Sequence, residues 1–357
     1  MTTTGTQTDI TAWIRPHLLR LAPYRSTRED YTGATDTLTL LDANENPYPA
    51  PYHRYPDPQH TALKARVGAL LGAAPEQLLL GNGSDEAIDL LIRATCVPGE
   101  SRILTFTPTF DIYGLGAEIH GAHHDSVPLG PGFRFPTAAA LAALRPTTRL
   151  TFVCTPNNPS GSTVPPEAVL ALLAAQQGFV VVDEAYIEYQ GLAHSWLPRL
   201  VGYPNLVVLR TFSKAWGLAG LRLGVAAGHP TLMQVLAAIK GTFNLSSLVQ
   251  VTALELLADP GAPARVAAQV AAQVAERERL AAALSALPGV VRVHPSDANF
   301  LLVELSDAET AYRSLLALGI LTRNRSRVPG CEGCLRISVG TPSENDRLLE
   351  ALPTIFR

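Results

Sequence analysis

The sequence predicts an α/β fold, with a large domain built on a mostly parallel sheet and a smaller α+β unit after it. Three observations carry that expectation. Short, continuous β-branched runs alternate with helix-like stretches, the pattern of strands buried on both faces. Each run ends in a polar, turn-forming motif. A long Ala-rich segment then separates these runs from a second group of strand-like stretches.

In chain order, residues 1–45 are rich in turn formers and read as an arm and linker. Asn44-Glu-Asn-Pro-Tyr-Pro-Ala-Pro51 excludes regular structure. Gln77-Leu-Leu-Leu80 leads into Gly81-Asn-Gly-Ser84 and an apolar-periodic helix over 85–94. Arg102-Ile-Leu-Thr-Phe106 leads into Thr107-Pro-Thr-Phe110. Arg149-Leu-Thr-Phe-Val-Cys154 leads into Thr155-Pro-Asn-Asn-Pro-Ser-Gly161. Phe179-Val-Val-Val182 leads into Asp183-Glu-Ala-Tyr186, and Asn205-Leu-Val-Val-Leu209 into Thr211-Phe-Ser-Lys-Ala-Trp-Gly217. Residues 262–287 form one long helix. Beyond it, 290–294, 299–304 and 335–339 read as strands, with helices near 308–317 and 344–349. His120-Gly-Ala-His-His-Asp125 reads as a polar loop between two strands. Cys331-Glu-Gly-Cys334 has redox or zinc spacing, yet no second pair exists, so no metal is expected.

Composition narrows the function. The 357 residues are 47% hydrophobic and 17% charged, enough apolar mass for a substantial core. A formal charge of −3 gives no electrostatic footprint for nucleic acid or an anionic membrane. No apolar run approaches the ~18 residues of a membrane span. Residues 1–9 lack a basic and an apolar region, so a secretion signal is not expected and a cytoplasmic protein is. Four cysteines in so long a chain suggest reduced thiols.

Lysine is scarce: only Lys64, Lys214 and Lys240 occur. Lys214, in a small-residue turn after a buried strand, is the candidate nucleophile, since an amine forms a Schiff base with an aldehyde cofactor. Asp183, ending a buried strand, either caps a turn or pairs with a pyridinium nitrogen. Tyr186 and Asn157 are placed to hydrogen-bond a phenolic oxygen, although Asn157 and Asn158 are equally well explained as turn residues. Gly81-Asn-Gly-Ser-Asp85 opens a helix and offers backbone N–H groups to an anion, with Gly83, Ser84 and Asp85 at its start. Ser84 serves equally as an N-cap. Thr211, Ser213 and Arg222 complete a phosphate clamp. Phe110 either stacks on a flat ring or packs in the core. Arg336 lies on the strand face opposite Leu335, Ile337 and Val339, and Arg323 is a second cation nearby. Both suit an acidic substrate group or a solvated strand face.

Asn157-Asn-Pro-Ser-Gly161, Asp183-Glu-Ala-Tyr186, Ser213-Lys-Ala-Trp-Gly-Leu-Ala-Gly-Leu-Arg222 and Leu335-Arg-Ile-Ser-Val-Gly340 together resemble the fold-type I, class I/II pyridoxal-phosphate aminotransferases. Leu21-Ala-Pro-Tyr24, Leu41-Asp-Ala-Asn-Glu-Asn-Pro47, Arg54-Tyr-Pro-Asp57 and Tyr186-Ile-Glu-Tyr189 are similar to their histidinol-phosphate branch. The resemblance implies a small domain made from both termini. Residues 1–45 would form the arm and part of it, 46–270 the large cofactor-binding domain, and 271–357 the rest.

It further implies pyridoxal 5′-phosphate held covalently by Lys214, with Asp183 on the ring nitrogen. Asn157 and Tyr186 would bond the ring oxygen, and Phe110 would stack on the ring face. Gly83, Ser84, Asp85, Thr211, Ser213 and Arg222 would surround the phosphate. Tyr55 would reach it from a neighbouring subunit, making a homodimer with shared active sites. Arg336 would hold the carboxylate of glutamate, and Arg323 with Tyr24 the phosphate of histidinol phosphate. The implied reaction moves an amino group between L-histidinol phosphate and 2-oxoglutarate, a step of histidine biosynthesis. Two stretches depart from the family pattern, Thr242-Phe-Asn244 and residues 323–333. Both bear on substrate preference, and an aromatic aminotransferase and a threonine-phosphate decarboxylase are the alternatives.

Overall fold

The computed structural model describes residues 9–31 and 38–356. Residues 1–8, most of the stretch that bears on a secretion signal, lie outside the described residues. The large sheet has seven strands: β1 (Leu78–Asn82), β2 (Arg102–Thr107), β3 (His123–Pro128), β4 (Thr148–Cys154), β5 (Phe179–Asp183), β6 (Leu206–Thr211) and β7 (Leu223–Ala227). Their order is β1-β7-β6-β5-β4-β2-β3. Only β7 runs against its neighbours β1 and β6, so the sheet is mostly parallel.

The buried runs explain why these residues form strands. Successive side chains point to opposite faces, and both faces are covered. Leu78, Leu80, Val180, Val182 and Val208 enter one apolar layer. Leu79, Phe179, Val181, Val207 and Leu209 enter the other. Helix Ser84–Thr95 covers the second face with Ile88, Leu91 and Ile92, while helix Pro166–Ala175 covers the first. Ile10, Ile14 and Leu18, from short 3-10 turns of the arm, are buried in that second layer. This part of the arm therefore packs on the large sheet rather than on the small one.

Helix Ala262–Ser285 leads to a four-stranded antiparallel sheet of order β10-β11-β9-β8. Its strands are β8 (Val290–Val293), β9 (Phe300–Leu305), β10 (Arg323–Asn324) and β11 (Cys334–Ser338). Leu280, Leu284, Leu315, Leu335, Ile337, Leu348 and Leu352 form its own core. Among the described residues, no helix is long and apolar enough to cross a membrane.

The 120–125 stretch is a correction. His123, His124 and Asp125 begin edge strand β3, with Asp125 paired to Arg102 of β2 by two short ion-pair bonds. Its polar alternation is that of a strand with one wet face, which resembles a loop in sequence. Cys331 and Cys334 are buried free thiols packed with Phe133 and Leu302.

Candidate active site

Ligands of open α/β sheets bind beyond the carboxyl ends of the strands. A cavity of about 340 Å³ opens there, walled on its other side by the small sheet. Because β7 is antiparallel, its first residues lie at the same edge as the last residues of β1 and β6. Gly224 pairs with both Gly81 and Thr211. Arg222, just before β7, is thereby set between the Gly83 turn and the Lys214 turn. Gly83, Ser84, Asp85, Phe110, Asp183, Tyr186, Thr211, Ser213, Lys214, Arg222, Arg323 and Arg336 all line this one cavity.

The floor is acidic and buried. Asp183 accepts from Tyr113 Oη at 2.6 Å and from the Ala185 N–H at 3.0 Å. Burial pushes its carboxyl above the usual carboxylate range, against the pull of those two donors. Tyr113 is itself locked in place, stacked on Phe152 at 4.5 Å and edge-on to Phe110 at 5.6 Å. Lys214 Nζ lies 5.7 Å from the Tyr186 ring centre. Burial lowers its ammonium pKa, and the Arg336 guanidinium lowers it further. Burial also raises the Tyr186 phenol, so the hydroxyl stays protonated and able to donate.

At the other end, helix Ser84–Thr95 begins at Gly83, whose φ is 79° and which supplies no capping side chain. A Cβ at Gly83 would come within 2.5 Å of an Arg222 nitrogen, and one at Gly224 within 2.2 Å of the Ser84 nitrogen. Glycine lets Arg222 close on the Gly83 turn, and lets β7 pack directly against the backbone of that turn. Arg222 lies against Asp85 at 3.3 Å. The Thr211 hydroxyl accepts from the Ser213 N–H at 3.1 Å, which fixes that turn.

Asn157 is the second correction. Its Oδ1 accepts from Thr109, and its amide N–H groups donate to the Pro108 carbonyl at 2.9 Å and to Ser160 at 2.7 Å. Both amide N–H groups are spent bracing the turn, and Asn157 does not line the cavity. The next residue does. Asn158 faces the cavity with its Oδ1 held by Arg336, which leaves its NH₂ to donate. In Asn-Asn-Pro only the residue before the proline reaches the cavity, and either residue reads alike as a turn former.

Two other residues lacked a sequence signal. Tyr113 carries no motif. Arg325 lines the cavity beside Arg323 and Arg336 and pairs with Asp111 at 3.0 Å. Tyr24 and Tyr55 are not brought to the cavity of their own chain. They stand half-exposed against Phe243, with Tyr55 stacked on it at 4.4 Å and Tyr24 edge-on at 6.0 Å. That cluster absorbs the Thr242-Phe-Asn244 departure.

The fold and this convergence are those of an aminotransferase. The profile of the "Aminotransferase class I and II" family matches residues 31–352, and the chain belongs to that family. Among its curated relatives, the histidinol-phosphate aminotransferase of Parabacteroides distasonis is 44% identical over 344 residues, spanning 96% of this chain and 98% of its own. The one from Cytophaga hutchinsonii is 42% identical over 345 residues, 96% of this chain and 97% of its own. Among solved structures, the histidinol-phosphate aminotransferase of Sinorhizobium meliloti in complex with pyridoxal-5′-phosphate aligns at TM-score 0.76 and 29% identity. It covers 88% of this chain and 89% of that one.

Proposed function

We propose that this enzyme uses pyridoxal 5′-phosphate to transfer the amino group of L-histidinol phosphate to 2-oxoglutarate. The observation that carries the reading is the shared cavity itself. A buried carboxylate, a desolvated lysine and an anion-binding helix start line one slot, the three groups that a phosphorylated aldehyde heterocycle would require. The helix start at Gly83 and Ser84, with Arg222, Thr211 and Ser213 on the same cavity wall, fits a phosphate, and the buried Asp183 carboxyl fits a positively charged ring nitrogen.

When bound, the cofactor supplies an aldehyde for covalent attachment and an electron-withdrawing ring. The chain's own groups do the rest. Arg222, the Ser84 N–H, Ser213 and Thr211 would hold the phosphate. Asp183 would stabilise a protonated ring nitrogen. Asn158 and Tyr186 would donate to the ring oxygen, and Phe110 would cover the ring face. Lys214 Nζ would attach the cofactor and, once the substrate amine has displaced it, would as a free amine take the proton from the substrate carbon bearing the amino group. Arg336, oriented by Asn158, holds the carboxylate of glutamate, and Arg323 takes the phosphate of histidinol phosphate.

The reading includes a cytoplasmic homodimer with shared sites, because Tyr24 and Tyr55 stand away from their own cavity and would serve the neighbouring one. A panel of histidinol phosphate, phenylalanine and threonine phosphate with 2-oxoglutarate tests the assignment. Glutamate should form fastest with histidinol phosphate. Preference for phenylalanine, or carbon dioxide release from threonine phosphate, would overturn it.

A further inference from the structure

Residues 38–60 form neither helix nor strand, yet one charged side chain among them is buried. The Glu45 side chain is only 3% exposed and collects donors from three separate points of the arm. Its Oε2 accepts from Arg28 at 2.6 Å and from Arg54 at 2.7 Å, and its Oε1 accepts from the Tyr55 N–H at 2.6 Å. Burial alone would raise this carboxyl. The donors hold it down at about 2 instead, so Glu45 is charged at any working pH. Arg28 is shared in turn: it pairs with Asp42 at 3.0 Å and donates to the Tyr55 carbonyl at 3.3 Å.

Tyr55 is the residue on which this cluster closes. With no helix or ladder to hold its backbone, charge-assisted hydrogen bonds do so, from Glu45 at the N–H and from Arg28 at the carbonyl. Its ring lies on Phe243. The loop bearing Phe243 is pinned as well, with Lys240 Nζ donating to the Pro58 carbonyl at 2.9 Å and to Asn244 Oδ1 at 3.0 Å. Tyr55 is thus fixed at backbone and ring while half of it stays exposed. We infer that Glu45 is a positioning residue for the phosphate end of the neighbouring chain's site, acting through Tyr55. The inference rests on the shared-site reading above and adds the carboxylate that aims the tyrosine.

Glu45→Gln keeps the shape, yet either orientation of the amide turns a donor toward the Tyr55 N–H or toward the two guanidinium groups. The readout is the rate at which the loaded enzyme loses pyridoxal 5′-phosphate on dialysis, followed by absorbance. Tyr55→Phe should release it about tenfold faster, because the hydroxyl that would reach the phosphate is gone. Glu45→Gln should release it at least about threefold faster. Arg28→Met, which frees the Tyr55 carbonyl, should do the same. Adding Glu45→Gln to Tyr55→Phe should change nothing further, since Glu45 acts through that hydroxyl. Multiplied losses in the double variant, or parent-like release from Glu45→Gln or Arg28→Met, would overturn the inference and leave Tyr55 its role. In purified hybrid dimers with Lys214→Ala, turnover surviving dialysis should return to the parent's level per intact site, for Glu45→Gln and Tyr55→Phe alike. Recovery with Tyr55→Phe alone would overturn the inference. Recovery with neither would overturn the shared-site reading beneath it.

Discussion

At the scale of single residues, the two adjacent asparagines divide structure from chemistry. Asn157→Ala leaves buried partners at Thr109, Ser160 and Pro108 unmet and should cost about 2 kcal/mol or more, read as a lower denaturant midpoint. Asn158→Ala should leave stability nearly unchanged. It frees Arg336 and removes a donor from the cavity, so KM for the dicarboxylate substrate should rise and the cofactor's absorption maximum should move. Lys214 makes a pH prediction. Its lowered pKa means that the neutral, nucleophilic amine is present at lower pH than for a free lysine. Cofactor attachment to the apo-enzyme should therefore accelerate with pH and level off below the usual lysine range. Arg336→Ala should move that inflection upward, since one neighbouring cation is gone. The sequence exposed the types of these residues but not the orientation of Asn157 and Asn158, because a side chain's direction in a Pro-bracketed turn depends on what packs beneath it.

At the scale of elements, legibility followed burial. The runs at 102–106, 149–154, 179–182 and 205–209 were readable because both of their faces are covered. β3 was not, as its outer face is wet and polar, and β7 was not, as Leu-Gly-Val-Ala-Ala is short and small-sided. Yet β7 places Arg222. The ion cluster joining Arg210 of β6 to Glu184 and Glu188 after β5 supplies a second prediction. Burial pushes Glu184 up to about 7 from its ordinary 4.5. A raised carboxyl pKa means that the folded chain holds a proton the unfolded chain has lost. Its stabilising share is full below about 4.5 and disappears as pH rises through about 7, on the order of 3 kcal/mol in all. Glu184→Gln should flatten the fall in melting temperature across that window. The Arg325–Asp111 pair ties the C-terminal loop to the start of helix Ile112–Ile119 at the cavity mouth. Asp111→Asn should release Arg325 and change KM for phosphorylated substrate more than kcat.

At the scale of the molecule, the two sheets supply opposite walls of one slot, and the sequence indicated both by the composition change at the long helix. It gave no sign of where Tyr24 and Tyr55 would stand, because their proposed target belongs to another copy. If sites are shared, mixing the inactive variants Lys214→Ala and Tyr55→Ala should restore activity through hybrid dimers that contain one intact site. Unrestored activity would place Tyr55 at the site of its own chain and overturn the shared-site reading. Arg222 extends the argument to the whole fold. It sits at φ 59°, in the left-handed region that suits glycine, at a cost of about 1 kcal/mol or more. A scaffold selected for rigidity alone would carry glycine there. Arg222→Gly should therefore melt later than the parent when both are stripped of vitamin B6, and earlier once it is restored. This protein, on that view, is tuned for the loaded state and leaves its bare chain slightly fragile.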